Sequence, residues 1–282
     1  MDRILLVARN GFRGVMSKRA LYIWAAAVVL MFLRSAPAIF VNPQDERIVA
    51  FMRASAISGS LDLWGYLCIA AAIFLGSGAI ASEVTSKTIV TVLARPIRRW
   101  ELLVGRWVGL SAFGIVTLGI GVGLALALAR YLRIDVGWSA LGMAATLTTV
   151  AVVLYGGIAL ALSAQASSGV AGGLTVLLVF MPPLVKILQD DARPTRHRIG
   201  VVLNYVVPPG YETLYSGVAW APPPVFQGFR GRGPAPPTFR AAAPPVIDYP
   251  AERSKTGKML AYAAAYFAVG CALFSRRDIR LG

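Results

Sequence analysis

The residues able to do covalent or metal chemistry are few and scattered. The lone His197 lies among Arg193, Arg196 and Arg198, with no second His or Cys at ligand spacing. A catalytic zinc needs about three protein ligands, so His197 reads as a solvated surface residue. Cys68 and Cys271 both fall inside apolar segments, which suits neither a disulfide framework nor a zinc site. No G-x-x-x-x-G-K-[ST] occurs. SKTGKM at 254–259 has Gly-Lys but lacks the preceding Gly and the following Ser or Thr. No G-x-S-x-G elbow accompanies the many Ser residues. An enzyme is disfavoured, because nucleophile, base and metal never assemble in the pattern.

The elements that would carry any function are apolar runs. The chain is 57% apolar with a mean hydropathy of +0.65, above the roughly 45–50% apolar content of soluble domains. It reads as a polytopic membrane protein. The net charge of +15 comes from Lys and Arg flanking those runs, which sets topology. No nucleic-acid motif or aromatic-interleaved basic patch accompanies it, so nucleic acid is not an expected partner. Asp and Glu stand at segment ends or in loops. Ion-coupled carriers generally use carboxylates within their spans, so that class is disfavoured.

Residues 81–107, ASEVTSKTIVTVLARPIRRWELLVGRW, lie between two apolar segments and hold five of the 28 Lys and Arg. Such a basic connection faces the cytoplasm. Ile89, Val92 and Leu93 give a short helix one apolar face, and Glu83 and Lys87 form an i, i+4 pair in the favourable order. Pro96 ends that helix or starts the next. Trp100 and Trp107 suit the headgroup level, with Arg98, Arg99 and Arg106 reaching toward water.

The order Glu83, Thr88, Pro96, Arg99, Gly105 and Arg106 resembles the cytoplasmic loop of type-2 ABC exporter permeases. That family commonly has Gly before the Thr and Lys after the later Gly, where this chain has Lys87 and Arg106. The resemblance implies a coupling helix docking on a separate ATP-hydrolysing subunit. Glu83, Lys87, Thr88, Val92 and Leu93 would carry the docking contact, and Pro96, Arg98, Arg99, Gly105 and Arg106 would transmit it to the next span. ATP and Mg are expected on the partner, with no cofactor on this chain. Two permease subunits, identical or merely similar, are also implied. The ending Phe274, Arg276, Arg277 and Asp278 is similar to a Phe-x-Arg-Arg-Asp element of the same family.

The expected fold is all-α with six transmembrane helices. Residues 1–20 place Ile4, Leu5, Ala8, Phe12, Val15 and Met16 on one face of a basic helix, fitting an interfacial elbow. Spans are expected at 21–41, 63–81, 108–129, 139–162, 170–187 and 259–274. Residues 42–62 read as a mixed-charge outer loop, and 82–107 as the cytoplasmic coupling loop. Arg34 can snorkel near the outer end of its span. Gly105, Gly109, Gly119 and Gly123 mark a helix-packing face. Pro182 and Pro183 are expected to break the fifth span near its outer end.

Residues 188–257 form the extracytoplasmic loop. Nine of the 17 Pro fall in 221–250, a composition that reads as flexible or extended. Residues 199–220, interrupted by Pro208-Pro209-Gly210, fit re-entrant helices better than a full span. Both termini are expected in the cytoplasm and the protein in a cell membrane, a bacterial inner membrane, among its lipids. The alternative function is a non-transporting scaffold that anchors a soluble partner by the same loop.

Overall fold

The computed structural model describes residues 2–15, 25–36 (27 and 32 apart), 46–81, 98–190, 194–209, 215, 218–219 and 248–276. Seven helices carry most of these residues: α1 (Asp2–Val15), α2 (Glu46–Gly78), α3 (Arg99–Tyr131), α4 (Trp138–Ser163), α5 (Ser168–Gln189), α6 (Pro194–Val206) and α7 (Tyr249–Arg276); the described residues of 25–36 are helical as well. No strand occurs among the described residues. Among the described residues five stretches are long and apolar enough to cross a membrane: Ile48–Gly78, Trp100–Tyr131, Trp138–Ser163, Ser168–Gln189 and Tyr249–Arg276. The expected first span, 21–41, lies partly outside the described residues. Its helical residues lean on α2, where Ser35 Oγ meets Ser60 Oγ at 2.9 Å and the Arg34 guanidinium covers Gly59.

Helix α4 is the hub. It packs against α2, α3, α5 and α7, and Leu154, Tyr155, Ala159 and Leu160 on it have no exposed surface. Small residues permit the tightest crossing. A Cβ on Gly76 of α2 would stand 2.8 Å from the Gly156 carbonyl oxygen of α4, so only glycine fits there.

Local chemistry explains where the helices stop and where expectation and structure differ. At the start of α3 the Arg98 N–H donates to Glu101 Oε2 at 2.9 Å, satisfying a donor that the first turn leaves unpaired. At its end Arg133 turns the chain with φ of 55°, a left-handed position that glycine usually fills. Helix α2 begins at Glu46, so most of the stretch expected as an outer loop is helical. Val49, Ala54, Ile57 and Leu61 bury against the bundle, and no proline interrupts 46–78. Helix α5 likewise runs on through Pro182 and Pro183 to Gln189. Within the loop expected at 188–257, α6 and the first turns of α7 are helical, α7 starting at Tyr249.

Candidate functional site

At the end of the bundle where α3 begins, α1 lies across α3. Val7, Ala8 and Gly11 are buried on the contact. A Cβ on Gly105 would stand 2.7 Å from Val7 Cβ, and one on Gly109 would stand 2.7 Å from the Ala8 carbonyl oxygen. Phe12 meets Phe113 edge to face, with centroids 6.4 Å apart. The Arg106 side chain runs beside Gly11. Two of the ten coupling residues read from sequence, Gly105 and Arg106, are therefore where α1 docks. Arg98 is exposed at the helix start, and the Arg99 backbone opens α3. Glu83, Lys87, Thr88, Val92, Leu93 and Pro96 lie outside the described residues.

Trp107 does not sit free at an interface. It is turned into the bundle: Nε1–H donates to the Val153 carbonyl of α4 at 3.1 Å, and the indole stacks on Phe267 of α7 at 4.2 Å. One residue thereby ties α3, α4 and α7 together, two turns above Arg99. Of the four glycines expected on a packing face, Gly105 and Gly109 receive α1. Gly119 and Gly123 have nothing within 4 Å of a notional Cβ among the described residues.

The opposite end holds the polar features. Helix α6 turns back along α5, with Gly200 against Leu188 and Gln189 and exposed His197 placing Nδ1 2.6 Å from the Gln189 carbonyl oxygen. The last carbonyls of α6 have no partner within the helix. Tyr262 OH donates to Asn204 and Tyr205 at 3.0 and 3.1 Å, and Tyr266 OH to Val206 at 2.5 Å. These tyrosines stand roughly 20 and 25 Å along α7 from Tyr249.

Tyr215, Val218 and Ala219 come in against α2 and α4. All three are buried. Tyr215 OH and Thr148 Oγ1 are 2.9 Å apart, Ser58 Oγ donates to the Ala219 carbonyl at 3.0 Å, and Gly137 N–H to that of Val218 at 2.9 Å. Burial pushes the Tyr215 phenol up to about 12; the Thr148 hydrogen bond opposes this, while Cys68 and Asp62 add to it.

The profile of the ABC-2 family transporter protein matches residues 6–279. The chain belongs to the ABC-2 transporter family. No curated protein matches it. As an ABC-2 permease it is a multi-pass, non-catalytic membrane component of an ABC transporter. Its candidate site is the α1–α3 contact together with the Trp107 junction of α3, α4 and α7. Sequence reading missed part of this. Asp62 stands inside a candidate span, half-buried on α2, which corrects the expectation that every acidic residue keeps to segment ends or loops. The polar and apolar residues around it alternate without a clean turn signal, so loop and helix read alike. Tyr215, Tyr262 and Tyr266 carried no signal beyond aromaticity, because their partners are backbone carbonyls or a threonine distant in sequence.

Proposed function

We propose that this ABC-2 permease is an exporter subunit whose 83–100 segment docks on a separate ATP-binding subunit. The observation supporting this most is the continuous path that starts at Arg98. From there α3 runs under α1 at Gly105 and Gly109, and through Trp107 into α4 and α7. A push on the start of α3 reaches three other helices within about two turns, or roughly 12 Å. ATP and Mg act on the partner, and closure of the ATP-binding pair moves α3 and α1 together against α4.

Basic residues in 81–107 and in the C-terminal SRRDIR put that end of the bundle, and both termini, in the cytoplasm. The membrane is a cell membrane, bacterial inner membrane included. Two such subunits, identical or similar, flank the path, and lipid covers the remaining apolar faces. Helix α6 then starts at the outer surface and re-enters the membrane. Its carbonyl end is held there by Tyr262 and Tyr266, as non-helical backbone at membrane depth must be held by protein.

Charge reversal at Arg98 and Arg99 tests the coupling path. The double Glu variant is expected to lower the ATPase rate of the assembled complex at least tenfold while leaving the membrane subunit folded, a loss of about 1.4 kcal/mol in coupling. An unchanged rate removes both residues from the path.

A further inference from the structure

Lys and Arg ordinarily gather at the cytoplasmic ends of spans. In the topology proposed above, the hairpin of α5 and α6 breaks that pattern at the outer end. Over 186–198 the sequence holds four Lys and Arg against two Asp. Lys186 in the last turn of α5, and Arg196 and Arg198 in the first turns of α6, are all exposed. The two helix ends are fastened to each other. A Cβ on Gly200 would stand 2.7 Å from the Gln189 backbone nitrogen, so α6 lies directly on α5. His197 Nδ1, 2.6 Å from the Gln189 carbonyl oxygen, carries the proton and donates, because a carbonyl only accepts. That bond sets the basic turn of α6 beside the last turn of α5.

Below the charges both helices turn apolar surface outward. Among the described residues α5 buries least of the five candidate spans, 17% of its apolar window. Leu177, Phe180, Leu184 and Ile187 are exposed and recur at helical spacing, which makes one stripe. On α6, Val202 and Tyr205 are exposed too, Tyr205 at 78%. From Leu177 to Ile187 the stripe rises about 15 Å, the depth of one leaflet of a bilayer core about 30 Å thick. A cationic rim above an apolar stripe one leaflet deep complements a phospholipid with an anionic head. A second copy of this chain fits less well, since a symmetric contact would set these cations against their own kind.

We propose that the α5–α6 hairpin is a binding site for an anionic phospholipid of the outer leaflet. Its phosphate lies on Lys186, Arg196 and Arg198, and its acyl chains run down the exposed sides of α5 and α6. The proposal rests on the topology given with the permease reading, which starts α6 at the outer surface. The head spans the two helix ends that His197 and Gly200 join, so the lipid holds α6 on α5 from outside as Tyr262 and Tyr266 hold its other end. Each basic group near an anionic surface adds roughly fivefold in affinity, so three together select charged lipid over zwitterionic lipid.

Hydrogen exchange of the full-length protein tests this, with one chain per nanodisc of phosphatidylcholine, with or without phosphatidylglycerol of the same acyl chains. Phosphatidylglycerol should slow exchange in α6 roughly fivefold or more and leave α4 unchanged. Lys186→Gln with Arg196→Gln and Arg198→Gln should abolish that effect, while Arg196→Lys with Arg198→Lys should keep it. A wild type that exchanges alike in both discs overturns the site, as does a triple Gln variant that still responds. Equal protection by soluble glycerol phosphate in phosphatidylcholine discs also overturns it, giving the cations to a free anion. Protection that needs two chains per disc overturns it in favour of a second copy. Topology is read separately by an impermeant maleimide on Thr195→Cys in intact cells, with Cys68 and Cys271 replaced by Ala. Labelling from outside supports the outer leaflet, and its absence overturns that placement. No arm needs ATP, so failure of the permease reading appears instead as a missing ATP-binding subunit with the lipid response intact.

Discussion

The seat of α1 on α3 gives the sharpest stability prediction, because its sign reverses along one helix. Ordinary van der Waals contact begins near 3.4 Å, and alanine Cβ atoms at Gly105 and Gly109 would meet α1 at 2.7 Å. Helix α1 must therefore retreat by roughly 0.7 Å at two successive positions. Overpacking of this kind costs about 1–3 kcal/mol per site. Losing the Phe12–Phe113 contact adds about 0.5–1.5 kcal/mol. Alanine returns close to 1 kcal/mol per site in helix propensity. The net effect of Gly105→Ala with Gly109→Ala is a destabilisation of about 0.5–5.5 kcal/mol. At Gly119 and Gly123 a Cβ meets nothing among the described residues, so the matching double alanine gains propensity alone. Thermal unfolding of both variants in one detergent is the assay, with ATPase coupling of the assembled complex as a second readout. The 105/109 variant should unfold at lower temperature and the 119/123 variant at equal or higher temperature than wild type. A 105/109 variant as stable as the 119/123 one refutes the close seat.

Tyr155→Phe removes a buried hydroxyl without a partner among the described residues and should stabilise the protein by roughly 1 kcal/mol or more, read as a rise in Tm. Tyr262→Phe together with Tyr266→Phe leaves the Asn204, Tyr205 and Val206 carbonyls unmet. Hydrogen exchange in α6 should quicken at least tenfold while α4 stays protected. The Tyr215 phenol, raised to about 12, keeps its proton when folded while the unfolded chain loses it near 10. Its stabilisation is full below about pH 10 and lost as pH rises toward 12, by roughly 2–3 kcal/mol. An alkaline unfolding series on wild type and Tyr215→Phe checks this, the variant showing the shallower decline.

Much of the architecture was legible because membrane spans announce themselves by length and hydropathy. The expected spans 139–162 and 170–187 sit inside α4 and α5, and 108–129 inside α3. The misses have a common cause. Residues 46–62 mix Arg53, Asp62 and three serines with apolar residues, a pattern that suits a loop until packing against α4 and Ala219 is known. Pro182 and Pro183 carry a local breaking tendency that the surrounding apolar helix overrides. The site residues divide in the same way. Gly105 and Arg106 belong to the α1–α3 contact, which charge and glycine spacing hinted at. The tyrosine partners are distant in sequence, as Tyr215 is from Thr148, and no local pattern encodes them.

The central claim is that the chain is driven by a separate ATP-binding subunit through the segment before α3. The most direct measurement is mild-detergent purification of the tagged protein from its native membrane, with mass spectrometry of what accompanies it, repeated with residues 83–97 scrambled. The account predicts an ATP-binding-cassette subunit with the intact protein and its loss with the scrambled one, while α3, α4 and α7 stay folded. An intact permease that recovers no ATPase, or one whose ATPase persists after scrambling, contradicts it.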